Sequence, residues 1–145
     1  MDEPFRSYCK NVELSEKYRE VYKKEIKFKD CYNNVWRVVT KTDFLQENPG
    51  VRIALGYVFI MTDDSGLDFY AQHAFFINEE DEVIDMTLPA EANKKYYTLM
   101  ELEEGEYIDL VCESQYASLM NNVDFQKINA EFIKWSILKG FIPLG

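Results

Sequence analysis

The sequence predicts an α+β domain in which helices pack on an antiparallel sheet. Two amphipathic helical patterns precede a run of strand-like segments and a third follows it, instead of alternating with them one by one. The strand-like segments follow one another across short polar turns, the usual connection between antiparallel neighbours. At 145 residues, 47% hydrophobic and 15% aromatic, the chain can bury one core without disulfides or metals and has no room for two. We read residues 1–145 as a single domain.

The first element, ELSEKYREVYKKEIK from Glu13 to Lys27, places Leu14, Tyr18, Val21, Tyr22 and Ile26 on one stripe with charge elsewhere, an amphipathic helix. A second helix starts within DCYNNVWRVVTKTDFLQ. Asp30 is its N-cap, Cys31 takes the first helical position, and Val35, Val38, Val39 and Leu45 supply the apolar face before ENPG breaks it. Val51 to Met61, rich in β-branched and aromatic residues, reads as a strand that TDDSG turns. LDFYAQHAFFIN and EVIDMTL are two more strands joined by a charged turn, and a weaker pair, Tyr96–Leu102 and Tyr107–Cys112, surrounds EEGE. NVDFQKINAEFIKWSILKGF carries Phe125, Ile128, Phe132, Trp135, Ile137 and Leu138 at helical spacing and ends near Gly140.

With 26 acidic against 16 basic residues and a net charge of -10, most of the surface repels a nucleic-acid backbone or an anionic membrane. No nucleic-acid or membrane partner is expected. The acidic runs Glu79–Glu82 and Glu101–Glu106 read as solvated turns, since neither has the alternating oxygen ligands of a calcium loop. Three cysteines and a single histidine, without CxxC, argue against both a disulfide framework and a zinc site. No metal or cofactor is expected. MDEPFRSYCK lacks the sections of a signal peptide, and no apolar run is long enough to span a bilayer, so a cytoplasmic location is expected.

His73, the lone histidine, lies on one strand and Asp85 on the next. Side chains alternate along a strand, so the two meet only if the turn brings them to one face. A three-residue loop at Glu79–Asp81 sets Phe75 opposite Asp85 and makes His73 its diagonal neighbour. A five-residue loop sets His73 and Asp85 directly opposite, and a two-residue turn separates them. Alone, Asp85 reads as the start of a turn toward Pro89. Small Ala71 beside His73 leaves room for a helix end. Cys31 is the nucleophile candidate: unpaired N–H groups and the positive end of the dipole at a helix start favour a thiolate and can bind an oxyanion. The negative charge of Asp30 next to it works the other way unless its carboxylate caps the helix. Cys9 and Cys112, with no histidine nearby in sequence, are taken as structural.

Cys31 in DCYNNVW, His73 and Ala74 in HAFF, and Asp85 with Thr87 in DMT resemble the catalytic core of the transglutaminase-like and papain-like cysteine hydrolases. In that group a cysteine opens the core helix, a His-Ala-Trp motif sits on one strand and an Asp-Pro-Thr motif on the next. The match is closer still to small bacterial and phage proteins with Cys-aromatic-x-Asn, Gly-Tyr, His-Ala-Trp and Val-Ile-Asp-x-Thr, through Cys31, Tyr32, Asn34, Gly56, Tyr57, His73, Ala74, Asp85 and Thr87. It covers Asp30 to Leu88, with Phe75 in place of Trp and Met86 in place of Pro. The resemblance implies a papain-like or transglutaminase-like fold and a Cys31–His73–Asp85 triad acting through an acyl-enzyme on a peptide or protein amide, as peptidase, amidase, deamidase or transglutaminase.

Asn34, one turn after Cys31, is a candidate to orient the thiol or bind an oxyanion; the alternative is a polar residue closing the first turn. Tyr57 is a candidate to line the cleft, or else a packing residue. Gln72 is an oxyanion donor by analogy with papain, but a regular strand points it away from His73. The acidic surface favours a basic or neutral substrate. Two other classes fit the same residues: a non-catalytic binding module on this scaffold that holds a protein partner, and an assembly protein that oligomerises through its aromatic C-terminal helix.

Overall fold

The sheet is built around one long hairpin that carries the histidine. The computed structural model describes residues 5–61, 68–88, 95–114, 122–140 and 142–143. In chain order the elements are β1 (Arg6–Cys9), α1 (Val12–Val21), a 3-10 turn (Lys23–Glu25), α2 (Cys31–Lys41), α3 (Phe44–Glu47), β2 (Arg52–Met61), β3 (Asp68–Ile77), β4 (Val83–Ile84), β5 (Lys95–Leu102), α4 (Glu104–Ser114), α5 (Val123–Leu138) and β6 (Ile142–Pro143). Strand order is β1-β5-β2-β3-β4, antiparallel throughout, with β6 added parallel to β3. The α+β class is as the sequence predicts.

Strand alternation divides the apolar residues into two cores. On one face Ile53, Leu55, Ala74 and Phe76 pack under Val35, Val38 and Val39 of α2 and Phe44 and Leu45 of α3. Further along that face Tyr57, Phe59, Tyr70 and Tyr97 lie under Phe132 of α5, with Tyr57 stacked on the Phe132 ring at 4.3 Å. The other face holds Tyr8, Ala54, Val58, Phe75, Ile77, Val83 and Tyr96. That face is closed by the sheet itself. Lys10, next to β1, bridges to Val83 of β4, and the Asn11 N–H donates to the Val83 carbonyl at 2.9 Å. The two edges of the sheet therefore meet, and the second core is the inside of the ring they make.

Several elements differ from the sequence expectation, among them the second helix, which extended Thr42 divides into α2 and α3, and β6, which the sequence reading lacks. The first helix stops at Val21, because α2 takes the backbone that would continue it: Arg37 Nε donates to the Glu25 carbonyl, and the Asn34 amide binds both N–H and C=O of Lys27. Tyr107–Cys112 is part of α4, not a strand. Glu106 reaches back to the Glu103 N–H at 3.1 Å while the Tyr107 N–H bonds the Glu103 carbonyl, a cap at the helix start that EEGE encodes. In EVIDMTL only Val83 and Ile84 pair as strand, because the Asp85 carboxylate turns the chain by accepting from the Thr87 and Leu88 N–H groups. β1 has no counterpart in the sequence reading. The TDDSG turn lies outside the described residues.

Candidate active site

The β3–β4 connection is the three-residue loop. Phe76 pairs with Ile84 and Ile77 with Val83, the Asn78 N–H donates to Glu82, and Asp81 closes the loop in the left-handed region at φ 59. Phe75 therefore stands level with Asp85, and His73 is its diagonal neighbour on the inner face. The expected pair forms: His73 Nε2 lies 2.8 Å from Asp85 Oδ2. His73 is 4% and Asp85 1% exposed.

Asp85 is held as an anion by geometry as well as charge. Oδ2 accepts from His73 and from the Tyr96 hydroxyl at 2.7 Å, while Oδ1 accepts from the Thr87 and Leu88 N–H groups at 2.9 and 3.3 Å. A carboxylate with four donors aimed at it has no use for a proton. Burial alone would raise its pKa. The charge and hydrogen bond of His73, helped by Tyr96, win and lower it to about 2. For His73 burial pushes the pKa down, but the Asp85 charge and hydrogen bond, then neighbouring Cys31, lift it to about 10. The ring is a buried imidazolium at neutral pH.

Cys31 stands beside that ring, close enough to help raise its pKa. Since Nε2 is engaged by Asp85, the thiol faces Nδ1. The helix tip reaches the ring from the edge of β3. Gln72 and His73 point to opposite faces, yet the Tyr32 hydroxyl bonds Gln72 Oε1 at 3.1 Å while Cys31 lies beside His73. One helix end can touch both only where the strand edge is open, and β3 is unpaired on that side between its contacts with β6 and β4, among the described residues.

Asp30 stands at the N-cap position, but its side chain makes no capping hydrogen bond. Its oxygens accept instead from Asn33 Nδ2 at 2.9 Å and Arg37 Nη2 at 3.0 Å. Burial alone would raise the Asp30 pKa; these two bonds outweigh it and lower it. The conflict with the thiol is thus relieved by Arg37 and not by capping. A second consequence concerns the backbone: among the described residues the N–H groups of Cys31, Tyr32 and Asn33 have no acceptor. They are available to an oxyanion beside the sulfur.

Asn34 does not face the sulfur as an oxyanion donor. Its Nδ2 protons go to the Lys27 carbonyl at 2.8 Å and Thr87 Oγ1 at 3.0 Å, and its oxygen accepts from the Lys27 N–H and from Arg37. It ties the nucleophile helix to the segment carrying Asp85, which gives the Cys-x-x-Asn and Asp-x-Thr spacings a physical meaning. Tyr57 is 4% exposed and stacks on Phe132, and its hydroxyl bonds Asn129 and accepts from Gln72 Nε2 at 3.3 Å. Gly56 pairs with His73 on one side and on the other meets β5 where that strand carries an extra residue, Leu99; a Cβ there would run into the Tyr97 carbonyl oxygen. Tyr96 was not legible beforehand; only its place on β5, next to Val58, brings it to Asp85. Cys9 and Cys112, taken as structural, are exposed free thiols, and Cys31 is half-buried.

No group of three His, Cys, Asp or Glu among the described residues is placed to hold a metal ion, and no described helix is long and apolar enough to cross a membrane. The chain matches no family model, curated protein or solved structure.

Proposed function

We propose that this protein is a cysteine-dependent hydrolase or acyltransferase of the papain-like and transglutaminase-like kind, acting on an amide of a peptide or protein. The observation that carries it is a buried imidazole bonded to a carboxylate saturated with donors, with a helix-start thiol beside the ring. Cys31 attacks the carbonyl as a thiolate beside the His73 cation, and the free N–H groups at the start of α2 hold the oxyanion. His73 Nδ1–H protonates the leaving amine, which departs to leave an acyl-enzyme. The same nitrogen then takes a proton from water or an acceptor amine as it attacks, and the thiolate is released. Asp85, fixed by Tyr96 and two backbone N–H groups, holds the ring through both steps.

Because Cys9 and Cys112 are exposed, the test uses a Cys9→Ser/Cys112→Ser background. Iodoacetamide at neutral pH is expected to alkylate Cys31, at a rate that falls on the order of 10²-fold or more in His73→Gln. Equal rates in the two folded proteins would favour the binding module on the same scaffold.

A further inference from the structure

The net charge favours a basic or neutral substrate, but the charge beside the site has the opposite sign. From Lys17 to Lys29 the sequence KYREVYKKEIKFK holds six of the chain's 16 basic residues and two of its 26 acidic ones. A local excess of positive charge thus sits in a chain of net charge -10. In the fold this stretch forms one wall of an open groove of about 130 Å³ lined by Arg19, Lys23, Ile26, Lys27, Phe28 and Thr87. Both walls belong to the segments that carry the triad. Asn34, one turn after Cys31, grips the backbone of Lys27, and Thr87 is two residues from Asp85 and bonded to the same amide.

Of the groove's cations, Arg19 is engaged by Glu16 and the Leu88 carbonyl, which leaves Lys23 and Lys27 to meet a ligand. Lys27 has no ion-pair partner among the described residues, and Lys23 meets only Glu20, a pair whose side chains are 68% and 77% exposed and therefore screened by solvent. Phe28 is 80% exposed, with Lys29 Nζ 5.4 Å from its ring centre. Ile26 gives the groove an apolar lining. An apolar or aromatic side chain followed by carboxylates complements this combination. A long polyanion does not, because beyond the groove it meets a predominantly acidic surface.

We propose that this groove binds an acidic peptide segment flanking the bond that Cys31 attacks. The proposal rests on Cys31 being the nucleophile, and the two are tested separately. Binding is measured by titration calorimetry on the Cys31→Ala protein, with blocked peptides in which one Phe precedes a run of Glu, of Gln or of Lys. The Glu peptide is expected to bind about tenfold or more tightly than the Gln peptide, and the Lys peptide not to bind. The Glu peptide should weaken by about tenfold in Lys23→Glu/Lys27→Glu and weaken steeply as salt rises from about 0.05 to 0.5 M. The salt series on the unreversed charges decides the matter if the double variant fails to fold. Equal affinity for the Glu and Gln peptides, or insensitivity to salt, overturns the proposal. So does sedimentation with phosphatidylserine vesicles without peptide binding. Iodoacetamide labelling of Cys31 reports independently: its failure with peptide binding intact removes the enzyme and leaves the groove, and the converse removes only the groove.

Discussion

Replacing Asp85 by Asn changes one atom and, on this geometry, reverses the site. Oδ1 accepts from two backbone N–H groups, at Thr87 and Leu88, so the amide oxygen must stay there and its NH2 must take the place of Oδ2. That NH2 faces His73 Nε2 and the Tyr96 hydroxyl, both of which now donate to Oδ2 at 2.8 and 2.7 Å. Nε2 has to become an acceptor, so it gives up its proton and leaves a neutral imidazole whose one proton is on Nδ1, with no basic nitrogen toward Cys31. The rate of Cys31 alkylation should fall on the order of 10³- to 10⁴-fold, as expected for a base held in the wrong tautomer. Two charge-assisted hydrogen bonds become neutral ones, each losing about 1 kcal/mol or somewhat more. A loss of about 2–3 kcal/mol lowers Tm by roughly 5–10 °C in a chain of this size. Alkylation kinetics by intact mass, with a thermal melt on the same samples, measures both. Alkylation of folded Asp85→Asn at the unmutated rate would refute the reasoning.

Two further outcomes follow from the same contacts. Gly56→Ala puts a methyl against the Tyr97 carbonyl at 1.9 Å, a backbone clash that β2 and β5 relieve only by separating; urea unfolding should show a loss of about 3 kcal/mol or more, and a loss under about 1 kcal/mol would contradict the register. Stability should also depend on pH at both ends. The Asp85 carboxyl is lowered, so its contribution is complete above the unfolded value of about 3.9 and is lost as pH falls toward about 2. His73 is raised, so its contribution is complete below about 6.5 and is lost as pH rises through about 10. Urea unfolding across pH should therefore place the pair's full contribution between about pH 4 and 6.5, and Asp85→Asn should remove both slopes; a profile unchanged by the variant would contradict the pairing.

What the sequence made legible was local. A strand's period of two reduced the His73–Asp85 question to the parity of one connection, and the structure answers it with the three-residue loop Glu79–Asp81. Helical periodicity placed Val35, Val38 and Val39 over the sheet. The rest depended on partners distant in sequence. Asp30 occupies its cap position, but Arg37, seven residues on, takes the carboxylate and leaves the helix N–H groups free. Asn34, a candidate for oxyanion binding, is consumed by Lys27 and Thr87. Closure of the sheet between Lys10 and Val83, which brings Tyr96 against Asp85 inside the ring, pairs segments more than seventy residues apart and leaves no periodic trace. α4 escapes the sequence reading for a local reason: the Glu106 carboxylate takes the Glu103 N–H and caps the helix start, whereas a run of acids around one glycine resembles a turn.

Because the chain contains one histidine, its imidazole gives a single pair of ¹⁵N signals that report the triad without ambiguity. The account expects both nitrogens of His73 to remain protonated at pH 7 and to titrate well above it, with the ring returning to the neutral form at pH 7 in Asp85→Asn. A His73 ring that is neutral at pH 7 in the unmutated protein, titrating near the ordinary value of about 6.5 and indifferent to Asp85→Asn, would contradict it.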